Sequence, residues 1–186
     1  MKYTLLLIFA IISLSYSRSD LFIWDYFRRT VGLSEKATAA LMGNLYAESG
    51  LESILYDIAY HPQLGLTNLQ YVKQVDLGEY PEEKFINDNI GFGIAQWKDI
   101  TRKEGLYNLC RGTIGHLPCQ ISYIYEELKS DYRNAFNCLT EDSSIMLYTI
   151  EVMSFYLDID YLDPEEIKRR TQFSENYYNK YANNDK

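Results

Sequence analysis

Apolar and small residues recur every three or four positions between residues 34 and 50, which is the spacing of one buried face of an α-helix. The series comprises Ala37, Leu41 and Leu45. Ser34 precedes it and belongs to the residue types that cap helix starts, whereas Gly50 follows it and belongs to those that end helices. The pattern therefore predicts a helix over residues 34–50 whose buried face continues to position 48.

A glutamate occupies position 48 of this predicted buried face. Glu48 would lie near the negative end of the helix dipole, and both burial and the dipole disfavour a charged carboxylate. We therefore expect the protonated form to be favoured, as a general acid requires. The alternative interpretation is that Glu48 turns to solvent or pairs with a basic residue, as most glutamates near helix ends do.

Helical periodicity dominates the remaining chain and predicts a mainly α fold with little or no β-sheet. The predicted helices are Asp20 to Val31, a short one from Thr67 through Val75, Arg102 to Arg111, Leu117 to Lys129, Tyr132 to Leu139, Ser143 to Leu157, and Asp163 to about Tyr181. Residues 51–66 look irregular, and Tyr80-Pro81 opens an acidic stretch that we interpret as a loop. Gly91 and Gly93 indicate that the backbone closely approaches either other backbone or a ligand.

The net charge argues against some classes of partner. The chain of 186 residues carries a formal charge of −8. Such an acidic protein repels phosphate, so we do not expect nucleic-acid binding. Its length is sufficient for one well-packed domain, and we expect a single domain over residues 18–186 that acts as a monomer.

The first 17 residues resemble a secretory signal peptide. Lys2 is a charged start, residues 3–14 are an apolar run too short to span a bilayer comfortably, and residues 15–17 offer small residues for cleavage. Arg18, which begins a polar stretch, ends that run too early for a membrane anchor. We therefore expect a secreted or lumenal protein, extracellular or in a phagosomal or lysosomal compartment, without stable membrane insertion after cleavage.

Three cysteines occur, at positions 110, 119 and 138. In an oxidising compartment one pair can form a disulfide and leave one thiol, and all three pairings are open. A bond between Cys110 and Cys119 would close the turn between two predicted helices. The cysteine spacing matches no metal motif and only His61 and His116 could assist, so we predict neither a metal nor another cofactor.

Six motifs follow one another in the order, and mostly the spacing, of a known family. They are Ile23-Trp24 with Phe27; Gly43 to Leu51 (GNLYAESGL); Leu64 to Thr67 with Gln70-Tyr71; Val75-Asp76 with Gly78 and Tyr80; Asn87-Asp88 with Gly91 to Trp97 (GFGIAQW); and Arg102-Lys103 with Leu106. Together they resemble the phage tail-type lysozyme family, which is related to goose-type lysozymes and lytic transglycosylases. The similarity is strongest over residues 21–110 and continues more loosely toward the end of the chain.

The resemblance implies a lysozyme-like multi-helix domain with a substrate cleft. It also implies cleavage of the β-1,4 bond between the sugars of bacterial peptidoglycan, with Glu48 protonating the leaving oxygen. Glycan cleavage usually needs a second carboxylate, and Asp88, matching the family's Asn-Asp, is our candidate. Gln96, Trp97 and Tyr156 are candidates for contacting the sugars. An antibacterial role for a secreted enzyme of this kind would follow.

Each of these assignments has a structural alternative. Asp88 can instead cap a turn, Gln96 can brace the loop as a buried amide, and Trp97 and Tyr156 can be core residues. Where family members often have Asn-Pro and Tyr-Glu, this chain has Glu52-Ser53 and Tyr60-His61. The competing function is a non-catalytic glycan- or wall-binding module on a lysozyme scaffold. A peptidase or esterase is disfavoured, because no G-x-S-x-G or H-E-x-x-H motif occurs.

Overall fold

The computed structural model describes residues 19–159 and 163–182, which form helices joined by turns. Residues 19–31 are helical and end in a π-helical segment, Tyr26–Val31; we name them α1. The other helices are α2 Glu35–Ser49, a 3₁₀ turn Ile58–Tyr60 leading into α3 His61–Leu64, α4 Asn68–Asp76, α5 Glu82–Asn87, α6 Ile100–Cys110, α7 Leu117–Lys129, α8 Arg133–Thr140, α9 Ile145–Phe155 and α10 Pro164–Tyr181. The predicted signal peptide, residues 1–17, lies outside the described residues.

Helix α2 is the central helix of the fold. Every residue from Ala37 to Leu45 is buried, so the helix is enclosed on all sides and not only on the one face that its periodicity predicts. It packs against α10 and α9, and α9 and α10 also contact each other. Its predicted ends are confirmed: the Ser34 side chain accepts a hydrogen bond from the Ala37 N–H, and Gly50 adopts φ 64°.

Helices α2 and α10 approach closely at Gly43. A Cβ atom added there would lie 2.5 Å from the backbone nitrogen of Ser174 and 2.7 Å from its Cα. These positions belong to the backbone of α10, so a side chain could not be accommodated by rotating a neighbour. Glycine at position 43 therefore sets the distance between the two helices.

Residues 51–97 form a second packed region around aromatic side chains. Tyr71 contacts Tyr56, Phe85 and Phe92 with ring centroids 4.7 to 6.2 Å apart. Within the described residues, β-structure is limited to the isolated bridges Tyr56–Phe92 and Phe92–Trp97. The predicted mainly α class with little or no sheet is confirmed.

Two sequence predictions about this region are wrong in part. The acidic stretch after Tyr80-Pro81 is not a loop: Pro81 precedes α5, and Glu82 and Glu83 occupy the first helical turn. Acidic side chains are favourable at that end of a helix because they complement its positive dipole. The irregular segment 51–66 also contains the 3₁₀ turn and α3.

A disulfide joins Cys110, the last residue of α6, to Cys119 in the first turn of α7. It closes the turn between these helices, whereas Cys138 on α8 is a free thiol. Of the three cysteine pairings that the sequence left open, the structure therefore contains the one between Cys110 and Cys119. No helix within the described part of the chain has the length and apolar character needed to cross a membrane.

Replacing Gly43 by alanine should lower the free energy of unfolding by about 3 kcal/mol, because the new methyl group collides with the α10 backbone. Urea denaturation followed by circular dichroism measures this change. Gly78→Ala is the matched control: a Cβ there meets nothing within 4 Å, and φ is 74°. It should cost only about 1 kcal/mol, from the left-handed backbone. Equal effects of the two variants would contradict the assigned role of Gly43.

Removing the disulfide with Cys110→Ser and Cys119→Ser should destabilise the protein by about 2.5 kcal/mol. The expected loss follows from the entropy that closing a loop with a sequence separation of 9 removes from the unfolded chain. Thermal denaturation without reductant measures it, with Cys138→Ser as the single-thiol control. An unchanged melting temperature for the double variant would refute the prediction.

Candidate active site

Glu48 lies in the last turn of α2, where the helix ends. The Gly50 N–H donates to the Tyr46 carbonyl at 2.7 Å and terminates the helix. The Glu48 side chain retains 22% of its accessible surface. The carboxylate therefore lies at the edge of the core, where an external molecule can reach it.

An arginine from α10 contacts this carboxylate. Arg170 Nη2 donates to Glu48 Oε1 at 2.6 Å, and the arginine side chain is only 7% exposed. The sequence-based expectation considered burial and the helix dipole but not this cation, which stabilises the charged carboxylate. The alternative interpretation, in which Glu48 pairs with a basic residue, describes the observed contact. Whether Glu48 acts on a substrate stays a prediction.

The end of α2 is joined to the glycine-rich segment Gly91–Trp97. Ser49 Oγ donates to the Ile94 carbonyl at 2.8 Å, and this bond is buried. The segment folds back on itself, because the N–H and carbonyl of Phe92 pair with those of Trp97 at 3.0 and 2.9 Å. The residue next to Glu48 thus fixes the glycine-rich turn beside the acidic helix end.

Gln120 of α7 holds the other side of this turn. Its Oε1 accepts from the Ile94 N–H at 2.9 Å, and its Nε2 donates to the carbonyls of Ser53 and Ile114 at 2.7 and 2.6 Å. A Cβ at Gly93 would lie 2.8 Å from the Gln120 amide oxygen. At Gly93 the predicted close approach is therefore to this buried side-chain amide, and at Gly91 it is to Gln96, whose Oε1 would lie 2.9 Å from an added Cβ.

Gln96 braces the same turn. Its Nε2 donates to the carbonyls of Gly93 and Leu55 at 2.9 and 3.3 Å, and its own backbone is left-handed, with φ 50°. Its side chain thus binds backbone within the segment, which is the structural alternative for this residue. These hydrogen bonds do not test whether Gln96 also contacts a sugar, which stays a prediction.

Trp97 and Tyr156, two further predicted sugar contacts, meet at a buried glutamate. Trp97 Nε1 donates to Glu127 Oε2 at 2.9 Å, and the Tyr156 hydroxyl donates to the same oxygen at 2.7 Å. Arg102 binds Glu127 through Nε at 2.7 Å and Nη2 at 3.0 Å. Trp97 is 1% exposed and Tyr156 is fully buried, so both rings lie in the core.

Asp88 is surrounded by donors. The hydroxyls of Tyr71 and Tyr80 donate to its Oδ2 at 2.8 and 3.0 Å, the Ile90 N–H donates to Oδ1 at 2.9 Å, and the Lys103 ammonium pairs with Oδ1. The Asp88 side chain is 6% exposed and that of Lys103 is fully buried. These contacts support a role in bracing the region before the glycine-rich turn. The predicted part of Asp88 in catalysis stays a prediction.

Burial also shifts the pKa values in this network. Desolvation lowers the pKa of the Lys103 ammonium, although the charge of Asp88 opposes that change. Desolvation and the nearby Asp88 charge raise the pKa of Tyr71 and of Tyr80, which therefore remain hydroxyl donors over the whole physiological range. The carboxylate and the ammonium depend on each other, because either would be an unpaired buried charge without its partner.

The candidate residues therefore form three groups. Glu48 pairs with Arg170, Trp97 and Tyr156 converge on Glu127, and Asp88 pairs with Lys103; Gln96 lies in the turn that Ser49 ties to the Glu48 helix. Sequence reasoning did not find Arg170 or assign roles to Glu127, Lys103 and Gln120. The family resemblance included Lys103 in a motif and Gln120 and Glu127 in its looser part, but it gave none of them a role, because their partners lie elsewhere in the sequence.

The described residues bring no group of three or more His, Cys, Asp or Glu side chains into an arrangement that could hold a metal ion. The site as described consists instead of a partly exposed carboxylate beside a buried arginine and a glycine-rich turn. A mainly α domain of this kind is consistent with the lysozyme-like class of proteins.

A comparison with models of known families identifies the family within this class. The family model described as phage tail lysozyme matches residues 20–181, and the chain belongs to this family. No curated protein and no solved structure matches the chain. Membership indicates a lysozyme-like, peptidoglycan-lytic function, and it confirms the family resemblance recognised from the six motifs.

Lys103→Met should destabilise the protein by about 3 kcal/mol at neutral pH, because it leaves the Asp88 carboxylate buried without a cation. Adding Asp88→Asn should recover part of that loss, since the neutral amide needs no counter-charge. Urea denaturation measures all three proteins, with the exposed Lys98→Met as the control. A single Lys103→Met variant as stable as the wild type would contradict the pairing.

Proposed function

We propose that the protein is a secreted glycosidase that cleaves the β-1,4 glycan bond of bacterial peptidoglycan, with Glu48 as the general acid. The observation that carries the proposal is the position of Glu48. It is a partly exposed carboxylate at the end of the buried helix α2, tied through Ser49 to a glycine-rich turn, in a chain of the phage tail lysozyme family.

In the proposed reaction, Glu48 donates a proton to the glycosidic oxygen as the bond to the anomeric carbon breaks. The transition state then has oxocarbenium character. Water then attacks the anomeric carbon and completes hydrolysis, or a hydroxyl of the substrate itself attacks and closes an anhydro ring; the proton that this nucleophile releases restores the acid form of Glu48. The arginine beside Glu48 would stabilise the carboxylate that remains after the proton has left.

Secretion is supported by two features. The apolar run in residues 3–14 is followed by small residues, as in a signal peptide. The disulfide between Cys110 and Cys119 is of the kind that persists in oxidising compartments. Both fit an enzyme that meets bacterial walls outside the cytosol.

A binding module is the second candidate, and the Glu48–Arg170 pair is the observation that favours it. A carboxylate held by a buried arginine can simply stabilise the junction of α2 and α10. On that account the protein would bind glycan strands without cleaving them, and loss of the Glu48 charge would leave binding intact.

Glu48→Gln should lower the rate of peptidoglycan cleavage by about 100-fold or more, because the amide cannot donate the proton. Purified peptidoglycan is incubated with each protein, and soluble products are read by mass spectrometry. Glu52→Gln, an exposed glutamate just beyond the helix, is the matched control and should keep full activity.

The products also distinguish the two routes, since a reducing end indicates hydrolysis and an anhydro end indicates transglycosylation. If wild type and Glu48→Gln both release no fragments but sediment equally with the wall, the binding module would replace the enzyme. Equal cleavage by both proteins would remove Glu48 from the mechanism.

A further inference from the structure

Arg170 lies between two carboxylates and is shared by them. Its Nη2 donates to Glu48 Oε1 at 2.6 Å, and its Nε donates to Glu166 Oε1, also at 2.6 Å. The arginine side chain is 7% exposed, so water screens these contacts weakly. The electrostatic effect of Arg170 on Glu48 therefore depends on how strongly Glu166 engages the same guanidinium.

The position of Arg170 is fixed by its other partners. Its Nη1 donates to Asn44 Oδ1 at 3.3 Å, and the Asn44 amide is itself anchored to the carbonyls of Ala40 and Thr149 at 3.0 and 3.2 Å. Asn44 is fully buried. Arg170 therefore cannot readily turn away from Glu48 when that group changes its protonation state.

Glu166 stays ionised at neutral and mildly acidic pH. It binds Arg169 through both carboxylate oxygens at 2.7 Å, in addition to Arg170, and it lies in the first turn of α10. The bonds from Arg169, with those from Arg170, lower the pKa of Glu166 to about 2, although desolvation opposes them. Across the range from pH 4 to 8 it is therefore a fixed negative charge.

The four groups balance one another. With both carboxylates ionised, Glu48, Glu166, Arg169 and Arg170 carry no net charge, and a proton on Glu48 leaves one positive charge. Without Glu166, the cluster would already be positive before Glu48 gained its proton. Protonation of Glu48 is therefore easier when Glu166 is present.

We propose that Glu166 is a positioning residue: by engaging the Nε side of Arg170, it leaves Glu48 able to hold the proton that a general acid must donate. This inference rests on the proposed function of Glu48. It assigns the control of the acid to a residue of another helix that does not touch Glu48 in the observed contacts.

The other elements packed at this point contribute mostly neutral groups. Thr149 of α9 offers a carbonyl, and Ser49 with Ile94 joins the glycine-rich turn without a charge. Arg169 adds a positive charge that interacts with Glu48 electrostatically. Since Glu48 is partly exposed, we expect its coupling to Glu166 to be moderate.

Glu166→Gln should move the loss of activity toward lower pH. A general acid works while it is protonated, so activity falls as pH rises through the ionisation of Glu48. Without Glu166, the full charge of Arg170 stabilises the Glu48 carboxylate. Activity should then fall at a pH lower by about half a unit or more. Arg169→Gln removes a cation and should shift the fall in the opposite direction.

Glu165→Gln is the matched control. It removes the same charge from the same turn of α10, but Glu165 is 83% exposed and faces Lys168 at 3.7 Å. The helix dipole and net charge change equally in both variants, so only Glu166→Gln should shift the profile. Circular dichroism spectra confirm that each variant is folded before its pH profile is measured.

A second readout does not depend on lysis. Carbon-13 NMR of the glutamate carboxyl groups, with the Glu48 signal identified by its absence in Glu48→Gln, gives the titration midpoint of Glu48 directly. The proposal is supported if the Glu48 midpoint is lower in Glu166→Gln, higher in Arg169→Gln and unchanged in Glu165→Gln. An unmoved midpoint in both, or equal shifts in Glu165→Gln and Glu166→Gln, would overturn it.

The two proposals can fail separately. If the midpoint shifts as expected but the wild type releases no wall fragments, the coupling stands and the proposed glycosidase function fails. If the wild type cleaves peptidoglycan and Glu48→Gln does not, while the midpoint is insensitive to Glu166, the function stands and the role of Glu166 is refuted.

Discussion

The close packing of α2 on α10 is the constraint on which the candidate site depends. Glu48 and Arg170 are 122 residues apart in the sequence, yet their side chains meet at 2.6 Å. They can do so because Gly43 has no side chain where α2 approaches the backbone of Ser174. A larger residue at position 43 would separate the helices and withdraw the arginine from the acid, so one glycine in the core bears on the chemistry at the helix end.

The same helix end is also bound to the rest of the fold. Ser49 ties it to the glycine-rich turn, and Gln120 holds that turn from α7. Before the turn, Asp88 and Lys103 form a buried ion pair that braces the chain. Glu127 accepts hydrogen bonds from both Trp97 and Tyr156. Buried polar groups thus fix the turn, and Glu48 is the carboxylate among these that stays partly open to solvent.

Local signals allowed the helix of Glu48 to be predicted from sequence, because capping by Ser34, periodic apolar residues and Gly50 all act within a few residues. The same kind of reasoning misjudged α5, where acidic residues that favour a helix start were interpreted as a loop. Arg170 could not be assigned to Glu48, because the sequence around either residue carries no signal of a contact between helices that lie far apart along the chain. For the same reason, the side-chain roles of Asp88 and Trp97 depend on Lys103 and Glu127, which sequence patterns alone did not connect to them.

The most direct test of Glu48 as the general acid is a crystal structure of Glu48→Gln bound to a tetrasaccharide fragment of the peptidoglycan glycan. If Glu48 is the acid, a glycosidic oxygen lies within hydrogen-bond distance, roughly 3 Å, of the side chain at position 48, with the sugars beside the glycine-rich turn. A tetrasaccharide bound on another face, with position 48 remote from every glycosidic oxygen, would contradict the claim that Glu48 is the acid.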